Sequence, residues 1–379
     1  EQSKYKDWYL IDAFDDPVTA TDEFDYKGWW NIKSLPEFNR TQNDLAEGPK
    51  KYIFNSTRKW MDPNGDGDPS DGIDGWRLDV AREVPIGFWK QWRNVVKSIN
   101  KQSLIVGELW ELSPDFISDD GAFDALMNYN FAFAVNDLFI ADTNKISVDE
   151  FIQRLQKIDE TYPYQNLFVL QNLLSSHDTE RLSSLIQNPD RKYEHDANEE
   201  NKTYKPGKPT SDDIEKQKLV AAFQILYRGA PMIYYGDEVG MWGADDPHDR
   251  KPMIWDDLDY ENEIINEQSG FKIGFGNYSV EQNKNLLEFY KTIIKIRNDN
   301  EPLKTGSLKF IYSDNENKTF AFESVIADEK IICAFNLGVS DVSIPLDYEV
   351  VELYPGNGET NSNIKTIFPK SFKVYRAKK

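Results

Sequence analysis

The stretch Gly72-Ile73-Asp74-Gly75-Trp76-Arg77-Leu78-Asp79-Val80 reads as a short strand that ends on an acid. Side chains alternate along a strand, so Arg77 and Asp79 point to the same side, two residues apart. The guanidinium can then hold the carboxylate charged and oriented, which is what a nucleophile requires. A surface ion pair on an edge strand would look the same in isolation. The rest of the chain has to decide between the two.

Three further stretches repeat the pattern. Leu104-Ile105-Val106-Gly107-Glu108-Leu109-Trp110 is an apolar run ending in an acid between Gly and Trp. Apolar and aromatic neighbours disfavour a carboxylate's charge, the setting that suits a general acid; the alternative is a solvated strand-end glutamate. Leu173-Leu174-Ser175-Ser176-His177-Asp178-Thr179-Glu180-Arg181 and Ile233-Tyr234-Tyr235-Gly236-Asp237-Glu238 end in charged groups as well. Barrel enzymes gather their chemistry at the C-terminal ends of several parallel strands. Two acids on neighbouring strands can reach the roughly 5–5.5 Å separation of a retaining glycosidase.

Between Ile73 and Glu238 apolar runs alternate with amphipathic segments, the sequence form of βα units around a parallel sheet. Strands are predicted at Ile73–Val80, Leu104–Leu109, Phe123–Asn128, Leu167–Ser176 and Ala230–Tyr235. A closed barrel takes eight. Pro85 opens a helix whose inner face is Trp89, Trp92, Val96 and Ile99. Ser147 with Glu150, and Ser279 with Gln282, have capping-box spacing. Gly229 is expected to end the helix that starts near Ser211. The polar stretch Asp190–Thr210 reads as a solvated loop. After about Thr305 short strand-like runs, Lys318–Val325, Lys330–Asn336 and Glu349–Leu353, alternate with turns at Asn336-Leu337-Gly338 and Pro355-Gly356-Asn357-Gly358. These predict an antiparallel β domain.

At 379 residues one large core with an appended smaller domain is expected. The formal charge of -21 argues against nucleic-acid or anionic-membrane partners, whose phosphates would be repelled. A neutral ligand suits such a surface better, and 10 Trp and 19 Tyr offer flat rings for the apolar faces of sugars, although most such rings belong to cores. Cys333 lies in an apolar run and reads as an inert buried thiol.

Asp74–Val80, Gly107–Trp110, Ser176–Asp178 and Tyr234–Glu238 together resemble successive signature regions of the α-amylase family of glycoside hydrolases. The likeness is greatest to neopullulanases, cyclomaltodextrinases and maltogenic amylases, on Gly72–Val80, Met127-Asn128-Tyr129 and Asp246-Pro247-His248-Asp249-Arg250-Lys251-Pro252-Met253. Trp29-Trp30 and Leu35-Pro36-Glu37-Phe38-Asn39 look like the family's specificity loop. The resemblance implies Asp79 as nucleophile, Glu108 as general acid/base and Asp178 as the third acid, with no redox cofactor. It implies Arg77 as support for the nucleophile, His177, Asp246 and Arg250 as donor-side sugar contacts, and Trp110 as an acceptor-side platform. The substrate it implies is an α-glucan. A transglycosylase of the same family and a catalytically silent glycan-binding relative are the alternatives.

The implied fold is a (β/α)8 TIM barrel lacking about its first three strands, followed by a C-terminal antiparallel β-sandwich. The domains expected are an excursion over residues 1–50, barrel strands four to eight over 51–304, and the β domain over 305–379. The family's first signature, a strand ending in Asn-His, does not occur, and neither His195 nor His248 replaces it by position. A complementary N-terminal chain is therefore expected to supply the missing strands.

Before the nucleophile strand stands Asp62-Pro63-Asn64-Gly65-Asp66-Gly67-Asp68-Pro69-Ser70-Asp71. Oxygen ligands at positions one, three and five with Gly at six resemble the opening of a calcium loop, with Asp68 and Asp71 completing the shell and Ile73 where a bidentate Glu would stand. Structural calcium on Asp62, Asn64, Asp66, Asp68 and Asp71 is expected; a solvated acidic turn is the alternative. Localisation is open, a calcium-dependent polysaccharide enzyme being of more use outside the cytoplasm.

Overall fold

The computed structural model describes residues 3–14, 24–143, 145–346, 348–356, 358–360 and 364–378. The chain divides into two units, Glu1–Met127 with Thr161–Asn166, and Asn128–Glu160 with Leu167–Lys379. Parts of the expected 1–50 excursion, and Asn357 of the turn expected at Pro355–Gly358, lie outside the described residues.

In the first unit β1 (Ile11–Phe14) pairs antiparallel with β2 (Phe24–Tyr26). Helix α1 (Glu47–Met61), β3 (Gly75–Leu78), α2 (Ile86–Ile99), β4 (Leu104–Leu109) and β5 (Ala125–Asn128) follow. Strands β3 and β4 run parallel in the register Gly75↔Leu104 to Leu78↔Gly107. Helix α2 buries Phe88, Trp89, Trp92 and Val96; Ile99 is half-buried, and Phe88 joins the inner face one residue before the expected start at Trp89. Burying each such side chain contributes about 1.5–3 kcal/mol. Both indole N–H groups stay satisfied, Trp89 donating to the Ala81 carbonyl at 2.9 Å and Trp92 to the Thr57 hydroxyl at 2.8 Å.

The second unit contains α3 (Tyr129–Val135), α4 (Val148–Thr161), β6 (Gln171–Leu173), α5 (Leu182–Gln187), α6 (Ser211–Leu226) and β7 (Ala230–Met232). A hairpin of β8 (Glu263–Ile265) and β9 (Gly276–Tyr278) and helix α7 (Lys284–Asn298) come next. Strands β6 and β7 are parallel, Gln171↔Ala230 to Leu173↔Met232. Both are shorter than the sequence predicts, because Tyr164–Phe168 winds into a 3-10 turn and the charged ends leave the ladder as loops.

Three local expectations are corrected. Ser279 and Gln282 form no capping box: α7 starts at Lys284, its cap is Asn283, which accepts from the Leu286 amide at 3.0 Å, and Gln282 instead donates to the Ile254 carbonyl. Gly229 lies beyond the end of α6 and serves close approach, since at φ +119° a Cβ there would stand 2.5 Å from the Asn172 amide nitrogen. The stretch Asp190–Thr210 is no solvated loop: Arg191, Tyr193, Ala197 and Tyr204 in it are buried. Its polar composition hides anchors that are spaced irregularly and so show no period.

The strands β10 (Ser307–Asp314), β11 (Thr319–Ile326), β12 (Glu329–Asn336), β13 (Val342–Pro345), β14 (Val350–Tyr354), β15 (Gly358–Thr360), β16 (Ile364–Ile367) and β17 (Ser371–Ala377) complete this unit. Six of them form one sheet in the order β10-β11-β12-β17-β14-β15, and β13 pairs separately with β16. Alternation gives the sheet two apolar faces. Phe320, Phe322 and Phe335 meet Phe223 of α6. Ala321, Ile332 and Ala334 pack on Val342, Ile344 and Ile367 of the β13–β16 pair. Cys333 is fully buried, and burial pushes its thiol well above the ordinary range.

Among the described residues no helix is long and apolar enough to cross a membrane.

Candidate active site

The parallel register that pairs Leu78 with Gly107 carries Asp79 and Glu108 to the same level of neighbouring strand ends. Adjacent strands stand about 4.8 Å apart, so the two acids are neighbours. One guanidinium joins them: Arg77 pairs with Asp79 through Nη1 and with Glu108 Oε2 through Nη2, at 3.2 Å. Asp79 is 71% exposed and Glu108 only 8%, so one acid is open to attack a ligand while the other is held in the wall. Glu108 also accepts from the Val80 amide at 2.9 Å and from the Trp110 indole at 3.3 Å. Val80 itself adopts φ 44°, a left-handed conformation costly for a β-branched residue, roughly 1–3 kcal/mol. Glycine at 107 lets the Phe123 ring pack against the strand at the residue before the acid, since a Cβ there would lie 2.5 Å from it.

A second cluster forms in the other unit. Past β6 the chain turns sharply, the Asp178 amide donating to the Ser176 hydroxyl at 3.1 Å and the Ser176 amide to the Thr179 hydroxyl at 2.9 Å. These turns present Asp178, whose Oδ2 lies 3.0 Å from His177 Nε2 and whose Oδ1 accepts from Arg250 Nη2 at 3.1 Å. The same Arg250 nitrogen lies 3.1 Å from Asp246. Four residues singled out from sequence, His177, Asp178, Asp246 and Arg250, are thus brought together, as Arg77, Asp79, Glu108 and Trp110 are in the first unit.

Residues 1–306 match the model of the α-amylase catalytic domain. The chain belongs to the α-amylase family. Its fold is the family's (β/α)8 barrel, represented by β3 to β7 and their helices, with the antiparallel domain β10 to β17 after it. Among relatives of known activity it is 34% identical over 337 residues to neopullulanase 2 of Thermoactinomyces vulgaris, covering 89% of this chain and 47% of that protein. To a cyclomaltodextrinase of Bacillus sp it is 34% identical over 340 residues, covering 89% and 49%. The chain therefore spans about half the length of these relatives. A solved cyclomaltodextrinase superimposes with a TM-score of 0.73 at 28% identity, covering 100% of this chain and 56% of that one.

Several paired residues in the stretches around Asp178 and Arg250 were not singled out from the sequence. Glu180, two positions after Asp178, is buried, paired with Arg191 and bonded by the Tyr204 hydroxyl at 2.9 Å. Burial raises its carboxyl above the ordinary range, with Arg191 and Tyr204 opposing the shift. Both partners come from the stretch expected to be solvated. His248 faces Glu199 at 2.6 Å, which holds that carboxyl below its ordinary value.

The acidic loop before β3 is ordered through its own backbone. Asp62 accepts from the Gly65 and Gly67 amides, Asn64 from the Asp66 amide, Asp66 from the Asp68 amide and Asp68 from the Ser70 amide, all at 2.8–3.0 Å. Asp71 ends the 3-10 turn that follows. The donors are the hard oxygens a calcium ion takes. They are turned to the loop's amides, and among the described residues no group of three or more His, Cys, Asp or Glu is placed to hold a metal ion.

Proposed function

We propose that this chain carries the catalytic acids of a retaining glycoside hydrolase acting on α-glucosidic bonds in maltodextrins, starch, pullulan or cyclodextrins. The observation that carries the reading is the single Arg77 guanidinium shared by Asp79 and Glu108 on adjacent parallel strands. Asp79 attacks the anomeric carbon while Glu108 protonates the leaving oxygen, and Glu108 then takes a proton from the water that releases the sugar. Asp178, His177, Asp246 and Arg250 grip donor-side hydroxyls, and Trp110 offers its ring on the acceptor side. The names of its relatives, a neopullulanase and a cyclomaltodextrinase, support pullulan and cyclodextrins among these substrates.

Reducing-end release from soluble starch and pullulan tests this, with Asp79→Asn as the control. The reading requires activity that Asp79→Asn abolishes. Full activity in Asp79→Asn, or none in the parent chain, contradicts it.

One further point belongs to the proposal. Calcium would stabilise the Asp62–Asp71 loop on the strength of its donor chemistry, remote from the acids. Calorimetry detecting no calcium binding, with a melting temperature indifferent to chelator, would remove it.

A further inference from the structure

Arg250 touches two acids of the second cluster, yet its own side chain is 44% exposed. Its neighbour in sequence is fixed far more firmly. Lys251 Nζ donates to both oxygens of Glu263, at 2.7 and 2.6 Å, and to the Trp242 carbonyl at 3.0 Å. The ammonium lies 5.3 Å from the Trp242 ring centroid, and the Lys251 carbonyl accepts from the Tyr235 hydroxyl at 2.6 Å. Side-chain exposures of 28% and 22% place the Lys251–Glu263 pair largely away from solvent, where its attraction is less screened.

Glu263 is itself anchored. It opens β8 and stands opposite Tyr278 of β9, while Ile265, two residues on, joins a core with Ala197, Tyr204, Ala244 and Phe271. The hairpin is thus a rigid post, and Lys251 is tied to it one residue from Arg250. Charge makes the tie specific. Burial and the nearby positive Arg181 both work against the Lys251 ammonium, and Glu263 opposes them. Without Glu263 that ammonium would face Arg181 with no carboxylate partner, and the backbone from which Arg250 extends would lose its tie to the hairpin.

We propose that Glu263 is a positioning residue for donor-side substrate binding: through Lys251 it holds Arg250 against Asp178 and Asp246, and so sets affinity for longer maltooligosaccharides. This rests on the reading of Arg250 as a sugar contact. Glu263 touches neither acid and no sugar, so its effect belongs in binding more than in the chemical step.

The test uses the full chain labelled with 15N-arginine, the Arg250 Nε–Hε signal being assigned by its loss in Arg250→Lys. Glu263→Gln keeps size and removes charge; it should shift and broaden that signal. It should also raise KM for maltohexaose about tenfold, a change larger than that in kcat or in KM for maltotriose. Lys251→Met should give the same signature, and Lys251→Glu combined with Glu263→Lys should restore part of the affinity. An Arg250 signal unmoved in both single variants overturns the positioning role. A moved signal in a chain that neither binds nor cleaves maltooligosaccharides overturns the sugar-binding reading instead.

Discussion

The two clusters of acids are built in opposite ways. Asp79 and Glu108 sit on the ends of paired strands, and their common partner Arg77 is two residues from one and across a single ladder from the other. Asp178 sits on a loop, and what holds it comes from far along the chain: Arg250 is 72 positions away, and the Glu180 beside it is pinned by Arg191 and Tyr204. A strand-borne site draws its precision from the ladder. A loop-borne site needs buried charges to replace the ladder, and its geometry becomes a matter of electrostatics.

This contrast predicts where damage is chemical and where it is structural. Glu108→Gln should lose about 10^2–10^4-fold in kcat with a much smaller change in melting temperature, since its one amide oxygen can keep the bond from the Val80 amide while only the longer bond from the Trp110 indole is lost. A substrate with an activated leaving group should recover part of the first step, measured as burst kinetics, and azide should speed the second, where it needs no general base. A loss of stability as large as the loss of rate would erase the contrast.

Arg191→Met probes the other design. It leaves Glu180 buried without its cation, and breaking such a pair costs about 3–5 kcal/mol in denaturant unfolding. The deficit should shrink toward acid pH, where protonation neutralises Glu180. A cost under about 1 kcal/mol, the value for an exposed pair, would mean the loop does not depend on this brace.

The smallest effect is a change of slope. Burial raises the Asp237 carboxyl to about 7, with Arg181 and the Ser175 hydroxyl opposing the shift. The native state therefore holds this proton more tightly than the unfolded chain does. Stability from this group is full below about pH 4 and is lost as pH rises through about 7. Asp237→Asn should flatten that part of the profile in unfolding midpoints; an unchanged slope would show that the group does not titrate there.

The same contrast governs how much was legible in the sequence. Arg77 and Asp79 are one strand repeat apart, and the parallel sheet, the helix face of Trp89, Trp92 and Val96, and the antiparallel C-terminal domain all follow from short-range periodicity. Val80's left-handed backbone leaves no such trace, because a valine ordinarily predicts the opposite conformation. Arg191, Tyr204 and Glu263 were missed for another reason. Each is one polar residue in a polar stretch, and its burial is decided by tertiary partners rather than by its neighbours. Ser279 misled because a capping pattern competed with a better cap, Asn283, four positions on.

The most direct test of the central claim is to trap the covalent intermediate. Incubation with a slow α-glucosyl fluoride, followed by proteolysis and mass spectrometry, should place one glycosyl group on the peptide containing Asp79. It should leave the peptides of Glu108 and Asp178 unlabelled. A glycosyl group on either of those acids, or turnover of the same fluoride by Asp79→Asn at the parent rate, would contradict Asp79 as the nucleophile.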